Sequence, residues 1–531
     1  MDNEKVNLKS NSNNKEIDNN KSEENINNYN NQLEINDTPI PILISSSSSS
    51  SYHNFTSVDE FQKKEISKIN RSKNSSKLLS LNEGLSEFSH LAISYFFKDT
   101  LKLSPSYSSF YRSLISFPYI FQPLFGLISD TFPIFGYKRK TYLILCGTFN
   151  LILWLILSFH DFSQYIAVFV LFVINLNNTF INACAGGILV EVSKKLTLID
   201  KKLERFNASH AYKNIGTVLS SILRGFIIDL FGIKINFMLA GFLSVFNIIG
   251  GIIYYESNLN LNNKKDKEKE KEENNYQIIN NNNIEEDNIP KKNLNFFSVL
   301  NNKNIIIPLF LVLFFSSTPS YFESSFYYLT DVKKFNPRNF GDLTICMMLL
   351  MLSTSILYKN YIKNFDKKKI IFWSIIISFF FSCFFNIYIY YNLTSKIIPI
   401  LSISLYVSIK SLCSKPMLDL AFLNCPKGYE GSIMGLFGSA LSFGKTISTF
   451  LGSMLTMYFK VEKGDYNNFN FLILMHNIIS LFMMSGLLLL NDDILEMKGN
   501  KKLIEFKKNE KNNIEVDVDI YNEKTKLKET N

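Results

Sequence analysis

The sequence predicts an all-α, polytopic membrane protein whose twelve transmembrane helices form two six-helix halves. Three observations predict it. Apolar runs recur along the chain at about the 20 residues needed to cross a hydrocarbon core of about 30 Å. A long hydrophilic insert, 256–303, divides them into two equal sets, the arrangement of two packed halves. Lysine and arginine crowd onto alternate connections, as a multi-pass chain with a fixed orientation requires.

Whole-chain composition hides this pattern. A hydrophobic content of 46% and a mean hydropathy of +0.05 would suit a water-soluble protein, because they average two populations. Residues 1–77, 256–303 and 491–531 are rich in Asn, Lys, Glu and Ser. They hold too little apolar surface to offset chain entropy and are expected to be a disordered tail, linker and tail. The net charge of +9 resides mainly there and in loops, so it orients the chain and implies no nucleic-acid partner. The six cysteines lie in or beside apolar runs without Cys-x-x-Cys spacing, and the five histidines are scattered singly. No disulfide, metal site or cofactor is expected. No Walker loop, Gly-x-Ser-x-Gly or His-Glu-x-x-His appears either, so neither an enzyme nor an ATP-driven pump is expected.

The first half, 78–255, carries spans at about 79–97, 106–128, 141–159, 164–190, 207–231 and 235–255. The second, 304–490, carries them at about 304–329, 338–358, 370–391, 396–421, 431–459 and 468–490. Connections after odd-numbered spans are short. Those after even-numbered spans hold Lys138-Arg139-Lys140, Lys194-Lys195 with Lys201-Lys202, the central insert, and Lys363 with Lys367 to Lys369. The basic excess therefore falls on one side, which places both termini in the cytoplasm and the chain, by expectation, in the plasma membrane as a monomer. Pro319 and Pro416 fall inside the seventh and tenth spans, where a break would free backbone groups toward a cavity. The eleventh span interleaves Gly435, Gly438, Gly444 and Gly452 with small polar residues, a pattern suited to close helix approach.

Ionisable residues inside the spans carry the functional information, since each costs several kcal/mol if it faces lipid. Arg224 and Glu323 fall in the outer halves of the fifth and seventh spans, and Lys445 lies deep in the eleventh. All three read as cavity residues. Arg112 joins them as a candidate substrate contact, although packing against a neighbouring helix explains it, and Lys410, equally well. Glu323, Glu87 and Asp99 are candidate proton-coupling carboxylates, while Lys98, Asp99 and Asp229 also read as interfacial. Asp130, Arg139, Glu191 and Glu430 sit at inner span ends, where a gate belongs.

Four stretches share a resemblance. Ser129-Asp-x-x-Pro-x-x-Gly-Tyr-x-Arg139-x-x-Tyr142 resembles the loop between the second and third helices of folate–biopterin transporters, a branch of the major facilitator superfamily. Tyr95-Phe-Phe-Lys98-Asp99-x-Leu-x-Leu-Ser-Pro105 resembles the end of their first helix. Leu189-Val190-Glu191 resembles their Val-Val-Glu, although Ala183-Cys-Ala-Gly-Gly187 departs from the Asp-Ala form that usually precedes it. Asn424-Cys425-Pro426-Lys427-Gly428-Tyr429-Glu430-Gly431 is similar to their Cys-Pro-x-Gly-x-Glu. The resemblance covers about 79–490. It implies the major facilitator fold, a symporter's alternating access, a folate- or pterin-like anion as substrate, protons as coupling ion, and Asp130 paired with Arg139 across a moving interface. Arg224 and Lys445 suit the anion's carboxylates and Glu323 a pterin's adjacent N–H donors, with Glu323 and Arg224 imagined as a pair in the empty carrier. A facilitator for a sugar, nucleoside or drug-like solute shares every feature except these motifs. A non-transport membrane protein is a weaker alternative.

Overall fold

The computed structural model describes residues 52–194, 199–256, 303–423 and 430–489. The expected linker and C-terminal tail lie outside the described residues, apart from Glu256 and Lys303 at the linker's ends, as does most of the Asn424–Gly431 motif.

The first span is built from α1 (Tyr52–Leu85) and α2 (Phe88–Tyr95), ending in a π-helical turn at Phe96–Thr100. Here the structure departs from the sequence reading. Residues 52–77 of the expected disordered tail are helical, and they dock on their own half: Arg71 donates to the Ile253 carbonyl, Ser75 to the Gly250 carbonyl, and Lys68 lies over the Tyr255 ring. The second span joins α3 (Pro105–Ser116) to α4 (Gln122–Thr131). Ser104 caps α3 by accepting from the Tyr107 N–H, with Pro105 in the first turn where it forfeits no bond. Then come α5 (Lys140–Phe159), α6 (Gln164–Lys194) and α7 (Ile199–Leu243), with α8 (Val245–Ile253) closing the half. The 45 residues of α7 are two passes, because Gly232 breaks the helix at φ 82° and ψ −178°, a conformation only glycine adopts readily.

The second half runs α9 (Lys303–Ser316), α10 (Phe322–Asp331), α11 (Pro337–Leu357), α12 (Lys367–Tyr390), α13 (Ile397–Lys410), α14 (Ser414–Leu423), α15 (Glu430–Tyr458) and α16 (Phe469–Phe482). The seventh span is interrupted between α9 and α10 at Ser317–Tyr321, as Pro319 predicts, and the tenth between α13 and α14. Among the described residues, seven helical segments are long and apolar enough to cross a membrane. One of them, Ala211–Ile253, at 43 residues crosses twice. The first, second, seventh and eleventh spans, kinked or studded with polar residues, complete the twelve.

Two seams join the halves: α7 lies along α11, and α3 along α15. Gly225 makes the first possible, since a Cβ there would sit 2.7 Å from the Pro337 carbonyl oxygen. On α15, Gly444 and Gly452 press against Ser316 and Ser320 in the broken span, whereas Gly435 and Gly438 face open space. The buried core is asymmetric. At the face opposite the basic loops it runs continuously through both halves, from Phe97 and Tyr111 to Tyr327, Tyr388 and Phe469. Toward the basic loops it divides into separate clusters, one in the first half and two in the second.

Candidate functional site

Polar contacts between the halves concentrate where the core is continuous. Glu323, only 2% exposed, receives Arg112 at 2.5 Å. Ser94 donates to the same carboxylate oxygen and accepts from Arg112 at 2.6 Å. The other carboxylate oxygen, Oε2, is buried without a hydrogen-bond partner among the described residues. The sequence pairing of Glu323 with Arg224 is therefore corrected: Arg224 donates instead to the Glu87 carbonyl, at 3.1 Å, and to Thr344. Both arginines read from the sequence as substrate contacts reach across to the second half here, Arg112 to Glu323 and Arg224 to Thr344. Further out, Lys98 bridges Asp331 at 2.8 Å and Asp99 at 3.3 Å, Tyr466 donates to Asp331, and Arg338 pairs with Asp229 at 2.6 Å. Asp99 is half exposed at this end, so the depth expected of a proton-coupling carboxylate is not met there.

The opposite end bears a second cluster. Arg139 reaches Asp130 at 2.7 Å and Glu191 at 2.9 Å, and Tyr254 donates to Glu191 at 2.6 Å. Burial opposes the Arg139 charge, but Asp130, Tyr254 and Glu191 outweigh it and hold the guanidinium pKa above its ordinary value. Three of the four gating residues read from the sequence thus belong to this end, and three share one contact network. Glu430 opens α15, and its side chain lies outside those described. The sequence missed Glu256, assigned to the linker. Its carboxylate accepts from the backbone N–H groups of Lys138, Arg139 and Lys140 at 2.7, 3.1 and 3.0 Å, capping α5 from the end of the first half. The signal available was an acid placed where the sixth span meets the basic turn. Gly187 completes the cluster: a Cβ would lie 2.6 Å from Arg139 Nε, so the Gly-Gly departure noted above makes room for the guanidinium.

Between the two ends lie the deep ionisable groups. Glu87 pairs with His90 at 2.8 Å, and Lys213 reaches Glu83 at 2.6 Å. Lys445 is solvent-accessible. Lys445 also lines a cavity of about 520 Å³ in the second half, shared with Lys410, Tyr406, Phe326, Phe340 and Met347. That volume is within the range of sites for small organic molecules.

A family model matches residues 83–508, and its description is the BT1 family. The chain belongs to the BT1 family. Relatives include folate transporter 1 of Plasmodium falciparum, 26% identical over 77% of this chain and 78% of the relative. The folate-biopterin transporter of Synechocystis sp. is 25% identical over 79% of this chain and 82% of its own length. Solved structures confirm the architecture alone. The nucleoside transporter NupG superposes with a TM-score of 0.54 at 14% identity, over 80% of this chain and all of its own. The POT family transporter PepTSo gives 0.55 at 12%, over 79% of this chain and 99% of that one. The fold is the major facilitator fold, and the chain is a multi-pass membrane protein of a transporter family.

Proposed function

We propose that this BT1-family chain is a secondary transporter that moves a folate- or pterin-like anion by alternating access, without changing it chemically. The observation that carries the reading is the pairing of a lysine-lined cavity at membrane depth with separate ion-pair clusters at the two faces. In this state Arg112–Glu323 and its neighbours close one face, while the core divides toward the other. Switching must break the first set and seal the basic side, with the Asp130–Arg139–Glu191 cluster moving as the gate. Its named relatives, a folate transporter and a folate-biopterin transporter, supply the substrate class. The basic loops orient that face, and both termini, to the cytoplasm, with the monomer in the plasma membrane.

Protons are the proposed coupling ion, and Glu323 their site. Its Oε2 is buried without a hydrogen-bond partner among the described residues, and protonation of the carboxylate would discharge the partner of Arg112 and loosen the closed face. Glu87, nearer the gap and already paired with His90, is the second candidate. The test is uptake of labelled folate into proteoliposomes, with unlabelled pterins, nucleosides and sugars as competitors. Saturable uptake of unaltered folate, blocked by excess unlabelled folate and not by nucleosides or sugars, is expected. Uptake displaced by a sugar or nucleoside alone would replace the proposed substrate.

A further inference from the structure

The cavity in the second half has an unbalanced charge. Two ammonium groups, Lys410 and Lys445, are among its lining residues, and no carboxylate is. The contacts of Lys410 are neutral: the Thr318 hydroxyl and the Tyr406 hydroxyl, the latter at 3.0 Å. An ammonium at this depth without an anion is costly, and a bound anion removes the cost.

The neighbours of Lys410 are arranged to present it. His476, 2% exposed, sets its Nδ1 against the Pro319 carbonyl oxygen, which can only accept. Nδ1 therefore carries the proton, and Nε2 is left to accept from the Tyr406 hydroxyl at 2.9 Å. The Tyr406 oxygen is then free to accept from Lys410. Of the three ammonium N–H groups, Thr318 and Tyr406 take two, and the third remains for an occupant of the cavity. The surrounding wall is Phe315, Phe326, Phe340, Met347 and Met351, which suits a flat apolar ring and offers nothing ionic.

We infer that Lys410 anchors a substrate carboxylate, positioned by the Tyr406–His476 relay, so that the carrier selects aromatic solutes bearing a carboxylate over neutral pterins. This deepens, and rests on, the transport reading above. A neutral pterin fills the aromatic wall but leaves Lys410 without its anion.

Thermal unfolding of the purified full chain with folate, 4-aminobenzoate or biopterin tests it. Both carboxylates should raise the midpoint, and biopterin at the same concentration should not. Lys410→Gln should weaken both carboxylates by about 10- to 100-fold, the range for losing a hydrogen bond to a charged group. Tyr406→Phe and His476→Gln should weaken them less, and should add nothing in the Lys410→Gln background, because they act through Lys410. Should Lys410→Gln not fold, the unsubstituted chain answers instead: 4-aminobenzoate, and not biopterin, should protect Lys410 from an amine-acylating reagent, read by mass spectrometry. Equal binding of biopterin, undiminished carboxylate binding by Lys410→Gln, or unprotected Lys410 overturns the anchor. If 4-aminobenzoate binds through Lys410 while folate neither binds nor moves, the anchor stands and the folate reading falls. If Lys410→Gln takes up folate with unchanged affinity, the reverse holds.

Discussion

At the scale of single residues, the two faces make different demands. Asp130 holds Arg139 far from the cavity, so Asp130→Asn should slow turnover while leaving substrate affinity nearly unchanged. A large affinity loss at normal turnover, measured by initial rates against binding, would contradict a gate. Gly187→Ala should act in the same direction, because its Cβ displaces the same guanidinium. Glu323→Gln mimics the protonated acid. It should flatten the pH dependence of uptake and abolish uphill accumulation while sparing exchange, which needs no net proton movement. Acid-stimulated accumulation that survives in this variant would shift the coupling role to Glu87. The sequence revealed which residues are costly at depth, but not who meets whom. Spacing along the seventh span places Glu323 in the outer half, and only the packing of the first, second and seventh spans delivers Arg112 and Ser94 to it instead of Arg224. Lys410 was ambiguous for the same reason: what marks it is the absence of carboxylates among the residues lining its cavity, a property of six spans together.

At the scale of elements, the broken seventh span is tied closely to α15. Ser448 donates to the Thr318 carbonyl, the Ser320 N–H donates back to Ser448, and Gly452 lies so close that a Cβ would fall 1.9 Å from the Ser320 oxygen. Gly452→Ala should therefore push α15 from the break and destabilise the protein by about 1–3 kcal/mol, the usual cost of overpacking, read as a lowered unfolding midpoint. Pro319 foretold this break, because proline removes a donor and disfavours helix in the residue before it. The helical start at Tyr52 was not foretold. Its composition is polar, and much of what holds its last turns is contact with backbone carbonyls of α8, which no local pattern encodes. Truncation separates the two readings: removing residues 1–51 should leave transport intact, whereas removing 1–78 should lower stability through loss of the Lys68, Arg71 and Ser75 contacts. Equal tolerance of both deletions would show that the docked helix is dispensable.

At the scale of the whole molecule, the twelve spans were legible because bilayer thickness acts on composition directly. The state of the carrier was not, since it depends on which residues of the two halves meet, as Arg112 and Glu323 do here, and no local pattern encodes that. Arg338 and Asp229 link the halves across the α7–α11 seam at the closed face. Asp229→Arg should place two cations there and favour opening, seen as increased labelling of a cysteine introduced at Ser325; adding Arg338→Asp should restore the original labelling. Failure of the swap to restore it would remove this pair from the switch. The docked helix has a further consequence. At about 1.5 Å per residue, the stretch from Tyr52 to the start of the first span at Leu79 rises about 40 Å on the basic side. The two halves are otherwise near-equivalent in projection, which makes a small carrier hard to align in single-particle images. A rod on one half alone breaks that ambiguity, and serves as a built-in fiducial for telling the two halves, and the two faces, apart.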